Sequence, residues 1–208
     1  PFSCGAMMPE SMAPTPEERE SYVDQLCGVV QVIGAGASKT GSTTLALIGC
    51  GGRGTDVVKN FLNDERVQVI AVCDVERESD RYNKGLIKKA GTFGREPARL
   101  LVDKTYGTTG CAVHEDFREV LARADVDAVQ IATPDHWHAL QAIAAARAKK
   151  HIYCEKPLSL TIEQGRFMSD VVRQSGVVWQ TGSQQRSDVH FRMAAEYVRN
   201  GKIGKLKQ

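Results

Sequence analysis

From Leu45 onward the chain alternates short apolar runs with longer amphipathic stretches. The runs are Leu45 to Ile48, Val67 to Cys73, Ala128 to Ala132, Ile152 to Cys154 and Val177 to Trp179. They lack the sustained polar alternation of a strand with one wet face, so each reads as a strand covered on both sides. Such strands, separated by helices, make an α/β fold with a doubly wound parallel sheet. The stretches between them predict helices over Gly52 to Leu62, Ser79 to Ala90, Asp116 to Arg123, His136 to Lys150, Ile162 to Ser175 and His190 to Asn200. Within His136 to Lys150, Trp137, Leu140, Ile143, Ala144 and the stem of Arg147 recur at helical spacing and are expected to face the core. Gly91 to Gly110 carries no clear period and reads as a connection.

Residues 1–43 break this rhythm. They are rich in Pro, Ser, Gly, Thr and Met, with one short helix expected near Pro16 to Leu26, opened by Thr15 and the acidic Glu17, Glu18 and Glu20. Val29 to Ile33 followed by Gly34-Ala35-Gly36 imitates a strand and a glycine turn, but Ser-Lys-Thr-Gly-Ser follows where an apolar-periodic helix should. Gly36 to Thr40 also brushes the phosphate-loop pattern, yet no Gly precedes Lys39 as that loop requires. Both are set aside as decoys. At roughly 150 residues per domain, 208 residues make about 1.4 domains. The expected division is a leader at 1–43, a ligand-binding domain at 44–182 and the beginning of a second domain at 183–208. The start at Pro1 and the stop at Gln208, just as Lys205-Leu206-Lys207 opens a strand, read as the ends of a fragment.

Composition narrows the partners. Hydrophobic residues make 42% and charged residues 25%, which excludes disordered, collagen-like and coiled-coil chains. The net charge is +2 with no run of five like charges, so no nucleic-acid or anionic-membrane surface is expected and a small molecule is the default ligand. The most apolar stretches, Leu45 to Cys50 and Ala142 to Ala146, fall far short of the ~18 residues that a membrane span needs. The six cysteines form no Cys-x-x-Cys pair and sit in apolar runs, so neither a metal site nor a disulfide framework is expected and a reducing, cytoplasmic compartment fits.

Three strand ends carry the candidate chemistry. The first strand runs into Gly49-Cys50-Gly51-Gly52-Arg53-Gly54 and then into a helix. In this G-x-G-x-x-G turn Gly49 permits the tight bend, Gly51 removes a side chain where a pyrophosphate must meet backbone, and Gly54 lets helix and strand touch. The next strand ends in Asp74, twenty residues after Gly54, where a carboxylate accepts both ribose hydroxyls of an adenosine and repels a 2′-phosphate. NAD is therefore favoured over NADP, with Arg77 as the residue that would admit a phosphate. Thr133-Pro134-Asp135-His136-Trp137-His138 follows another strand end. Thr133 or Asp135 can cap the next helix there, and a His138 in its first turn is expected to be neutral. Glu155-Lys156-Pro157 closes a further strand. A lysine beside a carboxylate and a cofactor can move a proton, and a surface ion pair is the plainer alternative.

These motifs, together with Gly182-Ser-Gln-Gln-Arg186, resemble in content and order the Gfo/Idh/MocA oxidoreductases, the relatives of glucose-fructose oxidoreductase and inositol dehydrogenase. The resemblance covers about Leu45 to Lys207. It implies a Rossmann NAD(P)-binding domain over 44–182 followed by a truncated α/β substrate domain. It also implies that Lys156 is the catalytic residue near the nicotinamide, that Thr133, Pro134, His138 and Glu155 line the cofactor, and that the bond before Pro157 is cis. The family's second acid–base pair lies in the substrate domain, outside this sequence, as does the surface for homo-oligomers. The implied reaction is hydride transfer between NAD and a hydroxyl carbon of a sugar or cyclitol. The alternatives are an NAD-retaining glycosidase that works by transient oxidation and elimination, and a non-catalytic nucleotide-binding module. Many relatives with the Thr-Pro-Asp-His-Trp-His motif carry an export signal, which keeps a periplasmic location beside the cytoplasmic one.

Overall fold

The computed structural model describes residues 41–83, 91–183, 185 and 188–205. The strands are β1 (Thr43–Ile48), β2 (Val67–Cys73), β3 (Ala112–His114), β4 (Ala128–Ile131), β5 (His151–Glu155) and β6 (Trp179–Gly182). They form one sheet in the order β3-β2-β1-β4-β5-β6, with every pairing parallel. The helices packed on it are α1 (Gly52–Leu62), α2 (Arg95–Tyr106), α3 (Phe117–Ala122), α4 (Asp135–Arg147) and α5 (Ile162–Ser175). Because side chains alternate along a strand, β1 feeds two cores. Leu45 and Leu47 pack with Val57, Val58 and Phe61 of α1 and with Ala98 and Val102 of α2. Ala46 and Ile48 pack on the other face with Val120 of α3, the alanines of α4, and Met168 and Val171 of α5. The doubly wound parallel sheet is as expected. Its order reverses between β1 and β4, which opens a crevice at their carboxyl ends.

Three expectations for the elements need correction. Ser79 does not begin a helix: it pairs with Phe93 as an isolated antiparallel bridge, and a single 3-10 turn follows at Arg81–Asn83. Gly91 to Gly110 is not a plain connection, because it contains α2, and the edge strand β3 lies just beyond it. Pro97 disguised this helix. It sits in the first turn, where its missing N–H has no partner to lose, and the helix ends at Gly107 with φ +66°. Arg99 and Cys111 both donate to the buried carboxylate of Asp103, at 2.7 Å and 3.1 Å, which ties α2 to the segment leading into β3. The third correction concerns α4, which turns its alanines to the sheet. Ala142, Ala145 and Ala146 are fully buried, whereas Trp137 is 41% and Leu140 48% exposed. Small side chains let the helix axis lie close to the strands, so the bulkier residues are displaced outward.

The remaining helix, α6 (Val189–Arg199), belongs to a separate compact unit. Asp188 caps it by accepting from the His190 N–H at 2.9 Å, and none of its residues is buried. The expected leader helix at Pro16 to Leu26, the decoys at Gly34 to Thr40, the strand beginning at Lys205-Leu206-Lys207 and residue Arg186 all lie wholly or partly outside the described residues. Among the described residues no helix is long and apolar enough to cross a membrane.

Candidate functional site

The site is built from the carboxyl ends of β1, β2 and β4. Gly49 leaves β1 with φ +94°, and a Cβ there would lie 2.6 Å from the Ala132 carbonyl carbon and the Thr133 nitrogen. Only glycine lets the first turn pass so close to the end of β4. At Gly54 a Cβ would overlap the Gly49 carbonyl oxygen, so the start of α1 rests directly on the turn. The N-cap of α1 is Gly51, which brings no side-chain cap, and the positive end of the helix opens onto the crevice.

Asp74, 6% exposed at the end of β2, holds the neighbouring loops together. Its Oδ2 accepts from the Cys50 N–H at 2.7 Å. Its Oδ1 accepts from the Glu76 N–H at 2.9 Å and from the Tyr82 hydroxyl at 2.7 Å. Burial, then the hydrogen bond and charge of Asp74, push the Tyr82 phenol above its ordinary range, so it stays a donor. The Tyr82 ring also covers Gly51, with Cδ1 3.3 Å from where a Cβ would stand.

On the β4 side, the Thr133 hydroxyl donates to Gln141 Oε1 at 2.7 Å, one to two turns along α4. Neither Thr133 nor Asp135 caps this helix; its N-cap is Pro134. The resulting cleft, about 700 Å³, is walled by Gly49, Gly51, Gly52, Arg53, Asp74, Thr133 and Pro134. It also meets Val75, Tyr82, Phe117, Arg118 and Trp137. The Arg118 guanidinium lies 4.8 Å from the Phe117 ring centroid, and Trp137 meets Phe117 edge-on at 6.5 Å. A volume of this size is ordinary for a cofactor site. The bare glycine turn at a helix N-terminus, a carboxylate at the second strand end and flat aromatic walls fit an adenine dinucleotide.

Cys50, Gly54 and His138 stand behind this wall instead of lining it. Cys50 is fully buried, and its backbone N–H serves Asp74. His138, 1% exposed, spans two carbonyl oxygens: Nε2 lies 2.7 Å from Thr133 O and Nδ1 2.6 Å from Pro157 O. Carbonyls only accept, so a neutral ring satisfies one of them and a protonated ring both. Expected to line a cofactor, His138 forms a strut between two strand-end loops behind the cleft wall.

Glu155 and Lys156 lie at the neighbouring end of β5, where Cys154 is in register with Ile131 of β4. Arg53 reaches across from α1 to Glu155 Oε1 at 2.7 Å, the arginine side chain being 40% exposed and the carboxylate 5%. Behind it, a Cβ on Gly182 would fall 2.7 Å from the same oxygen, which explains why β6 ends in glycine. Lys156 is exposed, and the Lys156–Pro157 bond is cis. Sequence reasoning missed Tyr82, Phe117, Arg118 and Trp137. Tyr82 falls inside an expected helix, and Trp137 has the spacing of a core residue; its place in the first turn after a strand end is the available signal.

Comparison with known proteins gives a consistent picture. The model of the oxidoreductase family with the NAD-binding Rossmann fold matches residues 43–183. Levoglucosan dehydrogenase of Pseudarthrobacter phenanthrenivorans is 41% identical over 91 residues, 44% of this chain and 23% of that protein. Myo-inositol 2-dehydrogenase of Thermotoga maritima is 31% identical over 161 residues, 77% of this chain and 42% of that one. An alpha-N-acetylgalactosaminidase of Shewanella oneidensis is 30% identical over 201 residues, 94% of this chain and 38% of that protein. The crystal structure of scyllo-inositol dehydrogenase from Lactobacillus casei, with bound NAD(H) and scyllo-inositol, superposes with a TM-score of 0.61 at 26% identity, over 79% of this chain and 43% of that one. The chain thus spans less than half the length of the curated relatives it matches.

Proposed function

Since the chain belongs to the oxidoreductase family with the NAD-binding Rossmann fold, we propose that the whole protein transfers a hydride between NAD and a hydroxyl carbon of a sugar or cyclitol. NAD bound in the cleft would supply the hydride acceptor. The glycine turn and the N-terminus of α1 would hold its pyrophosphate, Asp74 its adenosine ribose, and Thr133 and Pro134 the half nearer the reaction. Lys156 would move the hydroxyl proton, its ammonium kept at the sheet edge by the turn that His138 braces. The observation that carries this reading is the alignment of the ends of β1, β4 and β5, which supports a Lys156 that follows β5 on the same edge of the sheet as the glycine turn and Thr133. The residues after 183, including α6 with its exposed Phe191 and Tyr197, would begin the substrate and oligomerisation domain.

Calorimetric titration of this chain with NAD tests the binding half; micromolar to sub-millimolar binding is expected, and none would overturn it. In the complete enzyme Lys156→Met should leave NAD affinity within a few-fold and lower turnover by roughly 10² to 10⁴, the usual worth of general acid–base catalysis. Unchanged turnover would reassign Lys156 to positioning. A second reading rests on the alpha-N-acetylgalactosaminidase match over 94% of the chain: a glycosidase that keeps its NAD and cleaves by transient oxidation and elimination. Product analysis separates the two, since net NADH belongs to the dehydrogenase and sugar release without it to the glycosidase.

A further inference from the structure

At Asp74 the molecule already does what a ligand is expected to do. An ionised carboxylate offers about four lone-pair positions. Three are taken, by the N–H groups of Cys50 and Glu76 and by the Tyr82 hydroxyl. A ribose that presents two hydroxyls needs two positions, and only one is left. The two backbone donors belong to the glycine turn and to the segment after β2, which is pinned by the bonds from Arg95 N–H to Glu76 O and from Glu96 N–H to Arg77 O, both at 3.0 Å. Tyr82 is the sole side-chain donor of the three, and it alone can leave without unfolding the turn. Its ring points to the same conclusion. It lies over Gly51, in the space that the missing side chain leaves for a pyrophosphate and its adjoining ribose.

We propose that Tyr82 is a placeholder for the adenosine ribose: its hydroxyl occupies a ribose-hydroxyl position on Asp74, its ring covers Gly51, and dinucleotide binding exchanges the phenol for the sugar. This rests on the dinucleotide reading of the cleft and adds that the cofactor competes with a residue of the chain itself. The free site is kept satisfied in this way, since a buried carboxylate facing an open glycine turn would otherwise have fewer donors. The exchange weakens the measured affinity by the strength of the bond it breaks.

The test compares wild type, Tyr82→Phe and Tyr82→Ala by calorimetry with NAD and with ADP-ribose, which keeps the adenosine and pyrophosphate and lacks only the nicotinamide. Losing one hydrogen bond to a charged acceptor in the free state should tighten both ligands by about tenfold to a hundredfold in Tyr82→Phe, with Tyr82→Ala at least as tight. The thermal midpoint of the free protein should fall, because the same bond is lost there. A tyrosine that merely supports the fold gives the opposite sign, weaker binding in both variants. Wild-type binding with equal or weaker binding by Tyr82→Phe overturns the placeholder while leaving the dinucleotide site intact. Absence of binding in all three proteins overturns the dinucleotide reading and the placeholder together.

Discussion

Two residues carry single, separable consequences. Asp74 is held by two backbone donors and a phenol, so it is a structural anchor as well as the proposed selector between cofactors. Asp74→Asn keeps the shape and removes the charge that repels a 2′-phosphate. The expected outcome is at least about tenfold weaker NAD binding, a loss of one or two hydrogen bonds to a charged acceptor at about 1.5–3 kcal/mol each, with NADP binding unchanged or tighter; calorimetry with the two cofactors reads the ratio. NADP tighter than NAD in the wild type would instead promote Arg77. His138 gives a different signature because it touches no open space. His138→Ala removes the ring that bridges the Thr133 and Pro157 carbonyl oxygens, which are only partly buried, and the loss of one or two hydrogen bonds should lower stability by about 1–3 kcal/mol. Urea unfolding measures that loss, and His138→Gln, which can still donate to one carbonyl, should recover part of it.

At the scale of elements, the legible parts were those whose chemistry is local. The glycine turn, the acidic end of β2 and the buried strands stand out in the sequence because a tight turn, a helix touching a strand and two covered faces each demand a residue type at a fixed place. What was illegible depended on distance in space. α2 has only a narrow apolar stripe of Ala98, Leu101 and Val102 and a proline in its first turn, and it is fixed by Asp103 gripping a residue eight positions on. On α4 closeness of approach outweighs size: Trp137 and Leu140 look like core, yet the alanines are the contact. This yields a paired prediction. Leu140→Ala on the outer face should cost less than about 1 kcal/mol, whereas Ala145→Leu, in a site with no spare volume, should cost about 1–3 kcal/mol or more. Equal effects in urea unfolding would return α4 to the face read from its periodicity.

For the molecule as a whole, burial of thiols on both faces of the sheet sets a limit at alkaline pH. Burial pushes Cys73, Cys111 and Cys154 from the usual value near 9.0 up to about 12 each, and Cys50 well above its ordinary range. The folded groups stay protonated where the unfolded chain ionises. Their contribution is therefore whole below pH 9 and is lost progressively between about 9 and 12. Urea midpoints should hold from pH 7 to 8.5 and fall steadily above 9, and replacing Cys154 by Ala should flatten that fall. The position of β1 has a temporal consequence. Its partner β4 arrives late: Thr44 and Asp127, whose backbone and side chains bond one another, are 83 residues apart. The crevice is made by exactly that pairing, so while the chain is being synthesised no cofactor can find a seat until β4 has emerged and closed the loop, a slow step because long loops close late. NAD should therefore act as a brake on opening and not as a template for assembly: in stopped-flow experiments its addition should leave the refolding rate unchanged and slow unfolding in proportion to its occupancy.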